Sequence, residues 1–240
     1  MNYNLNPFIN GLEQLNIHPS DEQLVKFIMY YEMLIEKNKV MNLTAITEFN
    51  DVVEKHFLDS VSLIQVKNFD DPIRVIDLGT GAGFPGIPLK IMFPNLKVTL
   101  MDSLNKRILF LQDVISKLKL DDITAVHGRA EEAGKNPLYR EQYDLCVSRA
   151  VANISTLSEY CLPFVKIDGA FVSYKSADAD EEISQAKKAI YLMGGEIEKI
   201  EKFKLPDSDF GRSFVLIKKG KGTPKAYPRK AGTPVKNPLL

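Results

Sequence analysis

The 240-residue sequence predicts an α/β fold: a seven-stranded, mostly parallel, Rossmann-like sheet whose last strand is antiparallel, preceded by an N-terminal helical cap. Three observations predict it. The first seventy residues show helical periodicity and no strand-like alternation. From Ile73 onward short apolar runs alternate with amphipathic segments, as in a parallel sheet with right-handed crossovers. The last two strand-like runs are joined only by Leu205 to Arg212, too short and too rich in turn residues for a crossover helix, so they pair antiparallel.

In the cap, Ser20-Asp21-Glu22-Gln23 is a capping box. Leu24, Phe27, Ile28, Tyr31, Leu34 and Ile35 then recur at helical spacing to about Lys39. After a break at Asn42 to Thr47, a second helical pattern runs through Val52, Val53, Phe57, Leu58, Val61 and Ile64 and stops before Asp71-Pro72. His56 and Asp59 on this stretch could reach the site, and are read first as surface or interhelix hydrogen-bonding groups. The sheet is expected as β1 at Ile73 to Leu78, β2 at Lys97 to Met101, β3 at Ile123 to His127 and β4 at Tyr143 to Ser148. It continues as β5 at Ala170 to Tyr174, β6 at Gly195 to Lys204 and β7 at Ser213 to Lys218. Helices are expected at Ile87 to Phe93, Lys106 to Leu118, Ile154 to Val165 and Glu181 to Met193. The domain reading is 1–70 helical cap, 71–220 α/β domain and 221–240 basic tail. A seven-stranded sheet with an antiparallel end is the arrangement of S-adenosylmethionine methyltransferases rather than the usual dinucleotide-binding one.

No run approaches the ~20 apolar residues a membrane span needs, and the start lacks a signal-peptide pattern, so a cytoplasmic protein with no membrane partner is expected. Two cysteines, Cys146 and Cys161, make neither a disulfide framework nor a metal cluster and read as buried thiols. The net charge of zero hides an asymmetry. No acid follows Asp209, and eight basic residues do, leaving 23 basic against 31 acidic side chains before that point. Such a basic end can engage phosphates or simply be solvated.

The chemistry is concentrated in Asp77-Leu78-Gly79-Thr80-Gly81-Ala82-Gly83-Phe84-Pro85-Gly86, where an apolar strand ends in a glycine loop. Gly81-x-Gly83-x-x-Gly86 fits a dinucleotide fingerprint, and Asp77-x-Gly79-x-Gly81-x-Gly83 fits the acidic loop of S-adenosylmethionine enzymes; the glycines alone do not decide. In an open parallel sheet the ligand lies beyond the C-terminal strand ends. That places Asp77, Gly79, Gly81, Gly83 and Phe84 after β1, with loop amides meeting the amino-acid part of a methyl donor. Asp102 after β2 suits ribose hydroxyls or a helix cap. Ala130 and Glu131 follow β3, where an acid can hold an adenine amine. Arg149 follows β4. No Asn/Asp-Pro-Pro-aromatic set for exocyclic amines and no Pro-Cys nucleophile for pyrimidine carbons stands at these ends.

The chain resembles the bacterial small-subunit ribosomal RNA guanine-N7 methyltransferases, also called glucose-inhibited division protein B. The resemblance rests on Asn42-Leu43-Thr44-Ala45-Ile46, Lys55-His56-Phe57-Leu58-Asp59-Ser60, the glycine loop, Gly128-Arg129-Ala130-Glu131, Ser148-Arg149-Ala150-Val151, Gly211-Arg212 and the closing Lys225 to Pro234. It covers nearly the whole chain. It implies transfer of the methyl group of S-adenosyl-L-methionine, with no metal, to N7 of one guanine in the decoding region of 16S ribosomal RNA, within a small-subunit particle or assembly intermediate. It also implies a cofactor site of Gly79, Phe84, Ala130, Glu131 and Arg149, to which the strand-end argument adds Asp77 and Asp102. No residue is expected to act as a catalytic base. Lys106, Arg107, Arg129, Arg212, Lys225, Arg229 and Lys230 are candidate RNA contacts around the crevice. The competing readings are a nicotinamide-dependent oxidoreductase, for which no hydride-transfer set is evident, and a non-catalytic S-adenosylmethionine-sensing RNA-binding protein.

Overall fold

A computed structural model describes residues 3–150 and 152–240, so Met1, Asn2 and Val151, the last residue of the Ser148 motif, lie outside the described residues. The N-terminal helices are α1 (Asn6–Gln14), α2 (Asp21–Met41) and α3 (Phe49–Val52). A π-helical turn (Val53–Leu58), α4 (Asp59–Val61) and a 3-10 turn (Ser62–Gln65) complete the cap. The capping box of α2 forms as its sequence predicts: the Gln23 amide donates to Ser20 Oγ at 3.2 Å, and the Ser20 amide donates to Gln23 Oε1 at 2.9 Å. Gln23 also reaches across, its Nε2 donating to the carbonyls of Ile91 and Met92 at 2.8 and 3.0 Å, which fixes α2 to the sheet domain.

The α/β part runs β1 (Arg74–Leu78), α5 (Gly86–Met92), β2 (Lys97–Asp102), α6 (Asn105–Lys117), β3 (Ile123–His127), α7 (Ala130–Ala133) and β4 (Tyr143–Ser148). It continues with α8 (Ile154–Cys161), β5 (Val165–Ser176), α9 (Asp180–Leu192), β6 (Gly195–Lys204), β7 (Gly211–Lys219) and α10 (Thr233–Lys236). The sheet order is β3-β2-β1-β4-β5-β7-β6, with β7 antiparallel to both neighbours. β1 therefore lies between β2 and β4, and the crevice opens where the chain direction of winding reverses.

One expected helix is shorter than its apolar pattern. Ile154 to Val165 reads as one helix, but α8 ends at Cys161, Leu162–Phe164 is a 3-10 turn carrying Pro163, and Val165 already begins β5. The apolar run continues because turn and strand are buried too, so periodicity does not mark the change. The register of β5 against β4 shifts between Val165 and Ala170, a stretch in which Asp168 has φ +67° and a Cβ on Gly169 would meet the Asp144 carbonyl at 2.7 Å.

Alternate strand residues feed two cores. Val75, Val98, Leu100, Leu145, Val147, Val172 and Phe214 face the N-terminal helices, α5 and α6. Ile76, Met101, Cys146, Phe171, Val215 and Ile217 face α8 and α9. The cap shares the first core: Phe27 and Phe57 approach at 4.9 Å, Tyr30 and Phe84 at 5.3 Å between ring centroids. Both cysteines are buried and free. No helix among the described residues is long and apolar enough to cross a membrane.

Candidate functional site

The loop after β1 is shaped by one buried acid and one tyrosine. Asp77 is fully buried; its Oδ2 accepts from Thr80 Oγ1 at 2.6 Å and from the Gly86 amide at 2.8 Å, while Oδ1 has no partner. Burial pushes its carboxyl up to about 6, against the lowering effect of those two bonds. Tyr30 of α2 donates to the Ala82 carbonyl at 2.6 Å. Gly83, at φ +109°, has no room for more: a Cβ there would stand 2.7 Å from the Tyr30 oxygen and 2.6 Å from Ile87. Gly81, at φ +62°, differs, since a Cβ would meet nothing within 4 Å.

Two expectations change here. Asp77 holds the loop through Oδ2, keeps Oδ1 buried without a partner, and is not among the residues lining the cavity over the strand ends. The loop amides are also largely committed: Gly79 and Thr80 donate to the Met101 carbonyl at 2.9 and 3.2 Å, Gly83 and Phe84 to the Thr80 carbonyl at 2.9 and 3.0 Å, and Gly81 to Asp102 Oδ2 at 3.0 Å.

A cavity of about 550 Å³ lies over the C-terminal ends of β1 to β4, with Gly79, Asp102, Ala130, Glu131 and Tyr160 in its lining. Asp102 lines this cavity; its Oδ1 accepts from the Leu104 amide at 2.9 Å just ahead of α6, and its Oδ2 accepts from the Gly81 amide at 3.0 Å. Arg107 Nη1 donates to that Oδ2 at 3.1 Å and also lines this cavity. Glu131 accepts at Oε1 from Tyr160 Oη at 3.3 Å and from the Gly232 amide at 2.9 Å. Burial, with Glu131 beside it, pushes the Tyr160 hydroxyl up to about 12, so it stays a donor.

A second cavity, about 570 Å³, adjoins the first through Ala150 and Ala152, which line both. Its floor is a charge cluster. Asp59, 1% exposed, receives Arg149 Nη1 at 2.8 Å on Oδ2 and Arg212 Nε at 2.8 Å on Oδ1. The π-helical turn delivers Asp59 to this point, a local irregularity of the kind that recurs at functional sites. Arg149 also lies 5.0 Å from the Phe84 ring centre, and His56 stacks on that ring at 4.5 Å. Burial, then the Arg149 charge, drives the His56 pKa down to about 4, so the imidazole is neutral. Its Nδ1 lies 3.1 Å from the Lys55 carbonyl and 3.3 Å from Arg149 Nη2, and its Nε2 lies 2.8 Å from Thr44 Oγ1, so both ring nitrogens are engaged.

Arg149 lines the second cavity, with the buried Phe84 ring beside its guanidinium, and only Gly79, Asp102, Ala130 and Glu131 of the expected cofactor residues line the first. Asp59, read from the sequence as a surface or interhelix hydrogen-bonding group that could also reach the site, lines the second cavity; its place in the Lys55 to Ser60 motif was the available signal. Of the remaining basic candidates, Lys106, Arg129, Lys225 and Lys230 are exposed, with no ion pair among the described residues. Arg212 and Arg229 are spent on Asp59 and Glu159. A further groove of about 520 Å³ beside Tyr191 and Gly195 lies at the opposite strand ends, away from the switch point.

The donor set fits S-adenosylmethionine: a carboxylate at the end of β2 for a ribose, one after β3 with Oε2 unengaged among the described residues, and an open Cβ direction at Gly81. The model of the family described as rRNA small subunit methyltransferase G matches residues 23–210. The chain is 52% identical to a ribosomal RNA small subunit methyltransferase G from Lachnoclostridium phytofermentans, covering 97% of this chain and 96% of that one. It is 51% identical to the protein of the same name from Acetivibrio thermocellus, over 96% and 95%. Among solved structures, TYW2 from M. jannaschii in complex with AdoMet superposes with TM-score 0.52 at 15% identity over 72% of this chain and 77% of that one, a likeness of fold.

Proposed function

Because the chain belongs to the rRNA small subunit methyltransferase G family, we propose that it transfers the methyl group of S-adenosylmethionine to N7 of one guanine in the decoding region of 16S ribosomal RNA. The observation that carries this reading is the pair of cavities meeting at Ala150 and Ala152 over the ends of β1 and β4. One suits a nucleoside donor and the other a base.

In this reading Asp102 accepts the ribose hydroxyls, exchanging its Arg107 contact for them, and Glu131 Oε2 accepts the adenine amine. Gly79 and Ala130 line the floor, and Phe84 and Arg149 separate donor from acceptor. Bound there, S-adenosylmethionine supplies an electrophilic methyl on sulfonium. Guanine N7 already carries an exposed in-plane lone pair, so no residue has to remove a proton. The side chains near the seam agree with that: His56 is neutral and bonded on both ring nitrogens, and Asp59 is held by two arginines. What the chain contributes is position, worth up to ~7–11 kcal/mol of barrier when two reactants are held in line. The exposed Lys106, Arg129, Lys225 and Lys230 are the residues proposed to meet phosphates of the cytoplasmic small-subunit particle or its assembly intermediate.

The test is tritium transfer from labelled S-adenosylmethionine to naked 16S ribosomal RNA, to small subunits and to bulk protein, all from a strain lacking the gene. Label at a guanine N7, located by borohydride and aniline cleavage, is the expected result, and the better of the two RNA forms identifies the substrate state. Clear cofactor binding with no label in either RNA would overturn the reading.

A further inference from the structure

We infer that the C-terminal segment from Arg229 onward is a strap that completes the adenine end of the donor cavity, with Glu159 and Arg229 as positioning residues for Glu131. The inference rests on the cofactor reading above and extends it to residues far from the strand ends.

α8 carries an unusual buried polar face: Ser155, Thr156 and Glu159 are each at most 3% exposed. Spacings of three and four bring them to one side of the helix. Each is used by the strap. Ser155 Oγ donates to the Leu239 carbonyl at 2.7 Å and Thr156 Oγ1 to the Pro234 carbonyl at 3.1 Å. Glu159 receives Arg229 as a fork, Nε at 2.9 Å on Oε1 and Nη2 at 2.7 Å on Oε2, together with the Arg229 amide at 2.7 Å. Arg229 Nη2 then donates to the Asn237 carbonyl at 2.8 Å, closing the strap on itself.

The consequence reaches the cavity. Between these anchors Gly232, at φ +79°, turns its amide to Glu131 Oε1 at 2.9 Å, and Gly232, Val235 and Lys236 stand in the cavity wall. With Oε1 held by Gly232 and Tyr160, Glu131 is oriented with Oε2 left for a ligand donor. A carboxylate so fixed discriminates: it accepts from an amine and repels an oxo group at the same place.

The test compares binding of S-adenosylhomocysteine with that of S-inosylhomocysteine, in which the exocyclic amine is an oxygen, by calorimetry on the full chain. The wild-type protein is expected to prefer the adenosyl form by about tenfold, one charge-assisted hydrogen bond's worth. Glu159→Gln should reduce that preference to about threefold or less, raise the KM for S-adenosylmethionine, and leave kcat at saturation within about twofold. A second variant ending at Lys230, which lacks Gly232, should behave alike. Arg229→Lys, which keeps the charge but not the fork, should fall between. If the preference is unchanged in both variants, with only melting temperature lowered, the segment is packing and the inference is overturned. If the wild-type protein binds neither ligand, the cofactor reading fails and this inference falls with it.

Discussion

Asp59 and Arg149 form a 2.8 Å ion pair across the seam between the N-terminal helices and the end of β4. Arg212 of β7 meets the other oxygen of the same carboxylate at the same distance. One acid thus ties the N-terminal helices, the end of β4 and β7 together at the mouth of the second cavity. Asp59→Asn leaves two arginines facing each other, and removal of one partner from a buried pair typically costs ~3–5 kcal/mol. We expect a loss near the lower figure in urea denaturation, since both arginines keep some solvent contact, and a fall of at least about tenfold in methyl transfer. Unchanged transfer in a folded variant would remove this cluster from the acceptor site.

Gly81 and Gly83 should fail in different ways. At Gly83 an alanine meets Tyr30 and Ile87 within 2.7 Å, so Gly83→Ala should lower the melting temperature by displacing α2 from the loop. At Gly81 no protein atom stands in the way, and the backbone penalty of φ +62° is ~1–2 kcal/mol. Gly81→Val should therefore stay folded yet lose S-adenosylmethionine binding and transfer. Wild-type affinity in that variant would mean the cofactor does not pass over Gly81.

Asp77 and His56 should give opposing pH dependences of stability. The folded Asp77 pKa is raised to about 6, so its contribution is fully present below the unfolded value and is lost as pH rises through about 6. The folded His56 pKa is depressed to about 4, so its contribution is present above the unfolded value near 6.5 and is lost as pH falls through about 4. Each amounts to roughly 3 kcal/mol, and across pH 4 to 6.5 they largely cancel. Asp77→Asn should expose a stability that rises with pH over this window, and His56→Gln one that falls. Denaturant midpoints collected from pH 4 to 7 for the three proteins check this; parallel curves would refute both assignments.

The basic side chains should divide by partner. Replacing Lys106, Arg129, Lys225 or Lys230 by Gln should each flatten the log-log salt dependence of RNA binding by ~0.7–0.9. Arg229→Gln, whose charge is spent on Glu159, should lower stability with a smaller change in slope. Filter binding at several salt concentrations distinguishes the groups, and equal slope changes for Arg229 and Lys230 would contradict the division.

What was legible in the sequence is what local pattern encodes. Short apolar runs alternating with helical segments located all seven strands, and the short connection between β6 and β7 revealed the antiparallel end. The charge pairings were not legible. Arg149 and Asp59 are 90 positions apart, and Arg229 and Glu159 are 70 apart, so no local spacing links them. A count of basic residues in the tail therefore overstates the charge available to RNA. Lys219, wholly buried and bound to the Leu162 carbonyl and Thr223, is a further case: burial lowers its pKa to about 8, and it serves the core rather than a phosphate.

The Asp59 cluster bears on turnover as well as binding. Two arginines around one carboxylate leave a net charge of one positive unit at the mouth of the second cavity. Guanine is neutral when it arrives, and methylation at N7 makes it a cation. In the proposed reading, a base lodged beside this cluster would be accommodated before the reaction and repelled after it, so the side chains that hold the seam together would also favour departure of the finished nucleotide.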